Sequence, residues 1–156
     1  VHPLFYSYPK QSKKKNKVIF NGGKVINETF VNKIKEKLPE IEFIEIGGNI
    51  NNYKGKEDLI SMYDEAKVYI DFNGFEGREM CPREAVLRDC VLLLGNAGNA
   101  ETFDDYPLPS WYKVEYFTDE AINEVCDKIL ECMNNYEEHL QDMNLFKRKC
   151  LLEPRE

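Results

Sequence analysis

The feature that most constrains the fold is an alternation of short apolar runs with stretches whose apolar residues recur at helical spacing. The apolar runs have the length and composition of buried strands, and the first two stop at glycine-rich turns. Strands that alternate with helices favour parallel strands joined by right-handed crossovers. The sequence therefore predicts an α/β fold, a Rossmann-like open parallel sheet with helices on both faces. The predicted strands cover 17–20, 41–46, 68–72, 91–94 and 113–117, and the predicted helices cover 30–38, 59–66, a short segment from 82 and a long C-terminal segment from 118 to 140.

The C-terminal helix is the longest predicted element. Its apolar stripe runs from Ile122 through Ile129 and Tyr136 to Leu140, and these positions fall on one side of a helix. We expect this stripe to pack across the edge of the sheet or onto a partner that is missing from the chain.

Length and charge limit the number of domains and the kinds of partner. The chain has 156 residues, enough for one hydrophobic core, so we expect an N-terminal extension or linker at 1–16 and a single domain at 17–156. A formal net charge of −7 argues against nucleic acid, because proteins that bind it carry clustered positive charge. The basic cluster before the first apolar run is interpreted as part of a solvated linker; it consists of Lys13, Lys14, Lys15 and Lys17.

Cysteine usage and the length of the apolar runs bear on the compartment. The five cysteines are scattered without a Cys-x-x-Cys pair, so neither a disulfide framework nor a zinc site is predicted. No apolar stretch approaches the roughly 20 residues that cross a bilayer. We therefore expect a cytoplasmic protein without a membrane-spanning segment, and the initial Val1 suggests a fragment or a trimmed chain.

Two glutamates bracket the loop after the third predicted strand. Glu76 and Glu84 are separated by seven residues, and Glu84 lies in the predicted short helix. Folds of this class bind ligands beyond the carboxyl ends of their strands, where this loop lies. The segment Glu76-Gly-Arg-Glu-Met-Cys-Pro-Arg-Glu-Ala85 resembles the Glu-x7-Glu signature of the C-terminal, donor-binding domain of GT-B glycosyltransferases, particularly the retaining family 4 group. The flanking segments 59–71 and 90–99 are similar to that family as well.

The resemblance, which covers about residues 17 to 140, implies a role for each glutamate. Glu84 is expected to hold the ribose of a nucleotide sugar, and Glu76 is expected to face the donor sugar as a catalytic residue. The chemistry agrees, because a carboxylate accepts hydrogen bonds from paired hydroxyls, each worth on the order of 1.5–3 kcal/mol. An alternative stays open in which Glu76 is a solvated loop residue and Glu84 an ordinary glutamate near a helix N-terminus.

A diphosphate needs hydrogen-bond donors and positive charge. The Gly98-Asn99 turn offers unhindered backbone N–H groups at a predicted helix start, where the helix dipole favours an anion. Arg78 and Arg83 are further candidates, because a guanidinium matches phosphate oxygens in a fork.

The glycine loop after the first predicted strand is another candidate for the diphosphate. Gly22-Gly23-Lys24 matches the position of the loop that approaches the diphosphate in the family. Family members carry an Arg just after the loop glycine, whereas this chain has Gly23 there. Lys24 is the candidate substitute.

The resemblance implies a donor-binding domain that, with an N-terminal domain absent from this chain, transfers a sugar from a nucleoside diphosphate sugar to a carbohydrate or other acceptor, as in polysaccharide biosynthesis. The isolated chain is expected to bind better than it catalyses. Neither a cofactor nor a metal is expected, because no Asp-x-Asp motif is present. Two alternatives stay open: a non-catalytic domain of the same fold that binds other proteins, and a nucleotide-sugar epimerase.

Three residues carry weaker or ambiguous signals. Arg83 has an alternative to phosphate, which is a pair with Glu79 or Asp89. Trp111 is interpreted as loop packing, with base stacking as the alternative. Asp71 has the position of the phosphoacceptor of receiver domains, but the acidic pair that those domains need after the first strand is absent.

Overall fold

A computed structural model of the chain describes residues 1–22, 25–47, 53–72, 80–96, 102–115 and 118–153. Within them lies a five-stranded parallel sheet in the order β2-β1-β3-β4-β5. The Rossmann-like α/β prediction is therefore confirmed. The strands are β1 (Lys15–Asn21), β2 (Glu42–Ile46), β3 (Ala66–Asp71), β4 (Val91–Gly95) and β5 (Lys113–Val114).

Helices cover the sheet in two groups. The helices are α1 (Leu4–Ser7), α2 (Val25–Lys37), α3 (Lys56–Glu65), α4 (Met80–Leu87), α5 (Asp119–Asn134), α6 (Tyr136–Gln141) and α7 (Asn144–Leu152). In one group α2 packs against α5, and α5 against β3. In the other group α1 packs against α3 and α4, and α4 also packs against α7. Because both faces are covered, the central strands are continuous apolar runs, and every residue of β4 is buried.

The N-terminal segment, expected to be an extension or linker, packs against the rest of the domain. The ring of Phe5 on α1 is only 1% exposed and meets the ring of Tyr63 edge-on at a centroid distance of 5.9 Å. Arg88 donates from Nη1 to the carbonyl of Tyr8 at 2.8 Å. Residues far apart in sequence thus fix the segment, and a local pattern does not reveal such contacts.

Lys14 of the basic cluster also contacts the domain, which differs from the expectation of a solvated linker. Its ammonium group donates to the carbonyl oxygens of Tyr63 at 2.8 Å, Ala66 at 2.7 Å and Arg88 at 2.7 Å. Burial lowers the pKa of Lys14, and the three carbonyls satisfy its three donors. The cation therefore joins the start of β1 to the ends of α3 and α4.

The long C-terminal helix is present as α5, and it packs on a face of the sheet rather than across its edge. The hydroxyl of Thr118 accepts a hydrogen bond from the amide of Ala121 at 3.1 Å, which caps its N-terminus. The predicted stripe continues beyond α5, but the helix ends at Asn134 and α6 begins at Tyr136. Among the described residues, no helix is long and apolar enough to span a bilayer.

Candidate functional site

The strand order places a topological switch point between β1 and β3. From β1 the chain moves outward to β2, and from β3 it moves the other way to β4 and β5. Doubly wound sheets of this order bind ligands in the crevice beyond the carboxyl ends of the two strands at that point. Asn21 ends β1, Asp71 ends β3, and Met80 begins α4, the next described helix after β3. The candidate site is therefore this end of the sheet together with α4.

Glu84 lies on α4 and is almost completely buried, with 7% of its surface exposed. Its Oε1 accepts a hydrogen bond from the hydroxyl of Tyr63 at 3.0 Å. Burial raises the pKa of Glu84, and the hydrogen bond from Tyr63 opposes that rise. Among the described residues Oε2 has no hydrogen-bond partner, so it keeps the capacity to accept one from a ligand.

Asp71 and Cys81 complete the polar group at the switch point. Tyr69 donates from its hydroxyl to Oδ2 of Asp71 at 2.8 Å, and Asn21 donates from Nδ2 to Sγ of Cys81 at 3.4 Å. Burial, followed by the neighbouring Glu84, raises the pKa of Cys81 to about 12. The thiol is therefore protonated at neutral pH and is a poor nucleophile.

Gly22 follows β1 at the same end of the sheet. Its amide donates to the carbonyl of Ile46 at 2.9 Å, which carries the ladder with β2 past the end of the strand. A Cβ added at Gly22 would lie 2.0 Å from Oε1 of Glu45, so any side chain here would displace that carboxylate. The side chain of Glu45 thus fills the space beside Gly22, and the predicted contact of Gly22 with a diphosphate stays a prediction.

Arg83 lies on α4 beside Glu84 but is engaged by the protein itself. Its Nε donates to Oε2 of Glu153 at 3.0 Å, and its Nη1 donates to the hydroxyl of Tyr106 at 3.4 Å. The guanidinium also lies 5.7 Å from the ring centroid of Phe146 on α7. It therefore fastens α7 to α4, and its predicted contact with a phosphate stays a prediction.

Asp89, suggested as an alternative partner of Arg83, pairs with other residues. Its Oδ1 lies 2.6 Å from Nζ of Lys147, and its Oδ2 lies 3.6 Å from Nζ of Lys10. The other suggested partner, Glu79, lies outside the described residues. Within the described part of the chain, Arg83 pairs with Glu153, which is distant in sequence.

Trp111 lies in a short 3-10 turn (Ser110–Tyr112) just before β5. The ring stacks on the imidazole of His139 at a centroid distance of 4.8 Å, and Nζ of Lys128 lies 4.7 Å from its centroid. This arrangement agrees with the interpretation of Trp111 as loop packing.

Six predicted site residues lie outside the described residues, and their roles stay predictions. They are Gly23, Lys24, Glu76, Arg78, Gly98 and Asn99.

Within the described part of the chain, no group of three acidic, histidine or cysteine side chains has the spacing to hold a metal ion. The sequence interpretation did not assign a site role to Tyr63 or Tyr69, because both belong to regular apolar patterns of α3 and β3.

No protein-family model and no curated protein matches the sequence. Solved structures do share the fold. The chain aligns over 97% of its length with 35% of the chain of a S. aureus TarM mutant, solved with Fondaparinux, alpha-GlcNAc-glycerol and UDP, with TM-score 0.66 and 15% identity. A chain of the GtfA/B complex aligns with 92% of this chain over 34% of its own length, with TM-score 0.61 and 19% identity.

A third structure extends the same likeness. The pneumococcal O-GlcNAc transferase GtfA, solved with UDP and GlcNAc, matches 90% of this chain and 37% of its own chain, with TM-score 0.51 and 17% identity. The chain thus spans about a third of the length of each of these proteins. The fold is α/β and Rossmann-like, and it corresponds to one half of the GT-B architecture of these glycosyltransferases.

Proposed function

We propose that this chain is the donor-binding domain of a glycosyltransferase and binds a nucleoside diphosphate sugar beyond the carboxyl ends of β1 and β3. The fold supports the proposal, because its solved neighbours are glycosyltransferases, two of them solved with UDP. The Glu-x7-Glu segment supports it independently, since the resemblance rests on sequence. Its second glutamate lies on α4, next to the switch point.

The observation that carries the proposal is the state of Glu84. Among the described residues no buried side-chain oxygen or nitrogen lacks a hydrogen-bond partner, so a carboxylate oxygen of Glu84 that the protein leaves unbonded keeps access to solvent and to a ligand. In Glu84, Oε1 accepts from Tyr63 at 3.0 Å, whereas Oε2 has no partner among the described residues. A ribose hydroxyl is a suitable donor for that oxygen.

The catalytic role assigned to this domain is to orient the donor and to stabilise the departing diphosphate. In the proposal Glu84 holds the ribose, Glu76 faces the sugar, and the backbone amides of Gly23, Gly98 and Asn99 contact the phosphates. The acceptor and its binding residues come from another part of the protein, in line with the chain covering about a third of its structural neighbours.

Calorimetric titration of the chain with UDP, GDP and their sugars tests the proposal. We expect saturable binding of at least one nucleoside diphosphate at millimolar concentration. Binding should also stabilise the fold, by about 2.7 kcal/mol when the ligand is at 100 times its Kd. An absence of binding by every nucleotide in the panel would refute the proposal and favour the protein-interaction alternative.

The variant Glu84→Gln tests the residue assignment. It keeps an oxygen that can accept from Tyr63 but removes the charge, so nucleotide affinity should fall about tenfold or more, the equivalent of one charge-assisted hydrogen bond. The control is Glu36→Gln, which makes the same change at an exposed position of α2. Equal affinities of the two variants would show that Glu84 does not hold the ribose.

A further inference from the structure

The ring and the backbone of Tyr63 are each fixed by contacts with neighbouring residues. Its side chain is completely buried, and its ring meets Phe5 at 5.9 Å and Tyr69 at 6.4 Å between centroids. Its carbonyl accepts hydrogen bonds from Lys14 at 2.8 Å and from the thiol of Cys90 at 3.4 Å. Ring and backbone are thus fixed independently, so the direction of the hydroxyl is set by the core.

That hydroxyl points at the carboxylate of Glu84, with 3.0 Å between the two oxygens. A glutamate side chain has three rotatable bonds and loses rotamer entropy when it is ordered. The hydrogen bond from Tyr63 orders it before a ligand arrives. The cost of ordering is then met by folding rather than by binding.

We propose that Tyr63 is a positioning residue for the donor site: its hydroxyl holds Oε1 of Glu84 so that Oε2 faces the ribose of the nucleotide sugar. This inference rests on the proposed function. Phe5 extends the same support, because its ring packs edge-on against Tyr63. The N-terminal segment thereby belongs to the structural support of the site.

The charged and titratable groups around Glu84 come from three elements. Tyr63 and Lys56 face it from α3, Cys81 lies on α4, and the amino group of Val1 and the ring of His2 act on it from the N-terminal segment. Burial raises the pKa of Glu84, and the hydrogen bond from Tyr63 is the largest opposing effect. Removing the hydroxyl should therefore favour the protonated carboxyl, which is a poorer acceptor.

Tyr63→Phe tests the proposal, because it deletes the hydroxyl and keeps the ring. Two measurements are made on the whole chain: the carboxyl titration of Glu84 by NMR, and the Kd for UDP by calorimetry across a range of pH. We expect Glu84 to titrate at higher pH in the variant than in the wild type. UDP affinity should fall about tenfold, and its loss on acidification should begin at higher pH.

Tyr136→Phe is the matched control. It also deletes a phenolic hydroxyl that donates a hydrogen bond, in this case to the carbonyl of Asp89 at 2.6 Å, and it lies on α6, outside the candidate site. We expect it to leave both the titration of Glu84 and the Kd unchanged. A general loss of packing would affect both variants alike, whereas a positioning role affects only Tyr63→Phe.

The double variant Tyr63→Phe/Glu84→Gln separates the possible outcomes. If Tyr63 acts through Glu84, the two losses of affinity should not add. Additive losses, or an unchanged titration of Glu84 in Tyr63→Phe, would overturn the positioning role. Binding that is lost in Glu84→Gln but normal in Tyr63→Phe overturns the positioning role alone, whereas a wild-type chain that binds no nucleotide overturns the proposed function together with it.

Discussion

Glu84 is a buried acid whose burial raises its pKa. An acid of this kind favours the native state while it is protonated, and that contribution is lost as the pH rises through its native pKa. A carboxylate at this position therefore lowers the free energy of unfolding at neutral pH. This loss of stability agrees with a carboxylate that binds a ligand, because functional sites commonly carry residues that reduce stability.

Glu84→Gln should therefore stabilise the chain while it weakens nucleotide binding. Below about pH 4.3, the pKa of an unfolded glutamate, wild type and variant should have similar free energies of unfolding. Above it the variant should gain stability, by about 1.4 kcal/mol for each pH unit that separates the native and unfolded pKa values. Urea denaturation at several pH values measures the difference. A variant less stable than wild type at neutral pH would indicate that the carboxylate is a structural group.

Removing the carboxylate of the buried Asp64–Arg88 pair should lower the free energy of unfolding, in contrast to Glu84→Gln. Arg88 donates from Nε and Nη2 to the two carboxylate oxygens of Asp64, both at 2.8 Å, and both side chains are buried. Asp64→Leu leaves the buried guanidinium without its carboxylate partner and should cost about 3–5 kcal/mol of unfolding free energy. The double variant Asp64→Leu/Arg88→Met should recover much of that loss in the same urea titration. A single variant within about 1 kcal/mol of wild type would contradict this account.

At the scale of elements, α5 offers a test confined to one helix end. Thr118 accepts from the amide of Ala121 at 3.1 Å, so Thr118→Ala should reduce the free energy of unfolding by about 1 kcal/mol. Thr118→Ser keeps the accepting hydroxyl and should stay close to wild type. Thermal unfolding followed by circular dichroism compares the two. Equal losses in both variants would show that the methyl group, rather than the cap, matters.

The elements that the sequence predicted well are those whose own residues determine them. The apolar runs of β3 and β4 are continuous because both faces of the sheet are covered. The break at Asn135 was missed, since the apolar spacing continues through it into α6. The burial of α1 was missed as well, because four helical residues carry little periodicity and their packing depends on Tyr63.

At the scale of the whole molecule, the N-terminal segment is part of the folded domain. Phe5 is 1% exposed, whereas Phe103 is 56% exposed. Phe5→Ala should therefore cost about 3–5 kcal/mol of unfolding free energy, and Phe103→Ala should stay within about 0.5 kcal/mol of wild type. Chemical denaturation of both variants checks this prediction. A small effect at Phe5 would mean that residues 1–9 contribute little to the fold.

The position of the candidate site was predictable, but its internal contacts were not. The Glu-x7-Glu spacing and the alternation of strands and helices together place Glu84 near the carboxyl ends of the strands. Its contact with Tyr63 depends on how α3 and α4 pack, and the contact of Arg83 with Glu153 joins residues 70 positions apart. Such pairs are decided by tertiary packing, which a single sequence does not display.

The outermost position of β2 bears on how the protein behaves when it is concentrated. An edge strand presents backbone groups that can pair with a second molecule, and charged side chains discourage that pairing by repulsion. The charged residues of β2 are Glu42 and Glu45; Glu42 pairs with Lys17 at 3.3 Å, so repulsion between copies depends mainly on the net negative charge of a chain whose pI is about 5.0. Mild acid should therefore bring turbidity well before it brings unfolding, and light scattering would register the first aggregates while circular dichroism is still native.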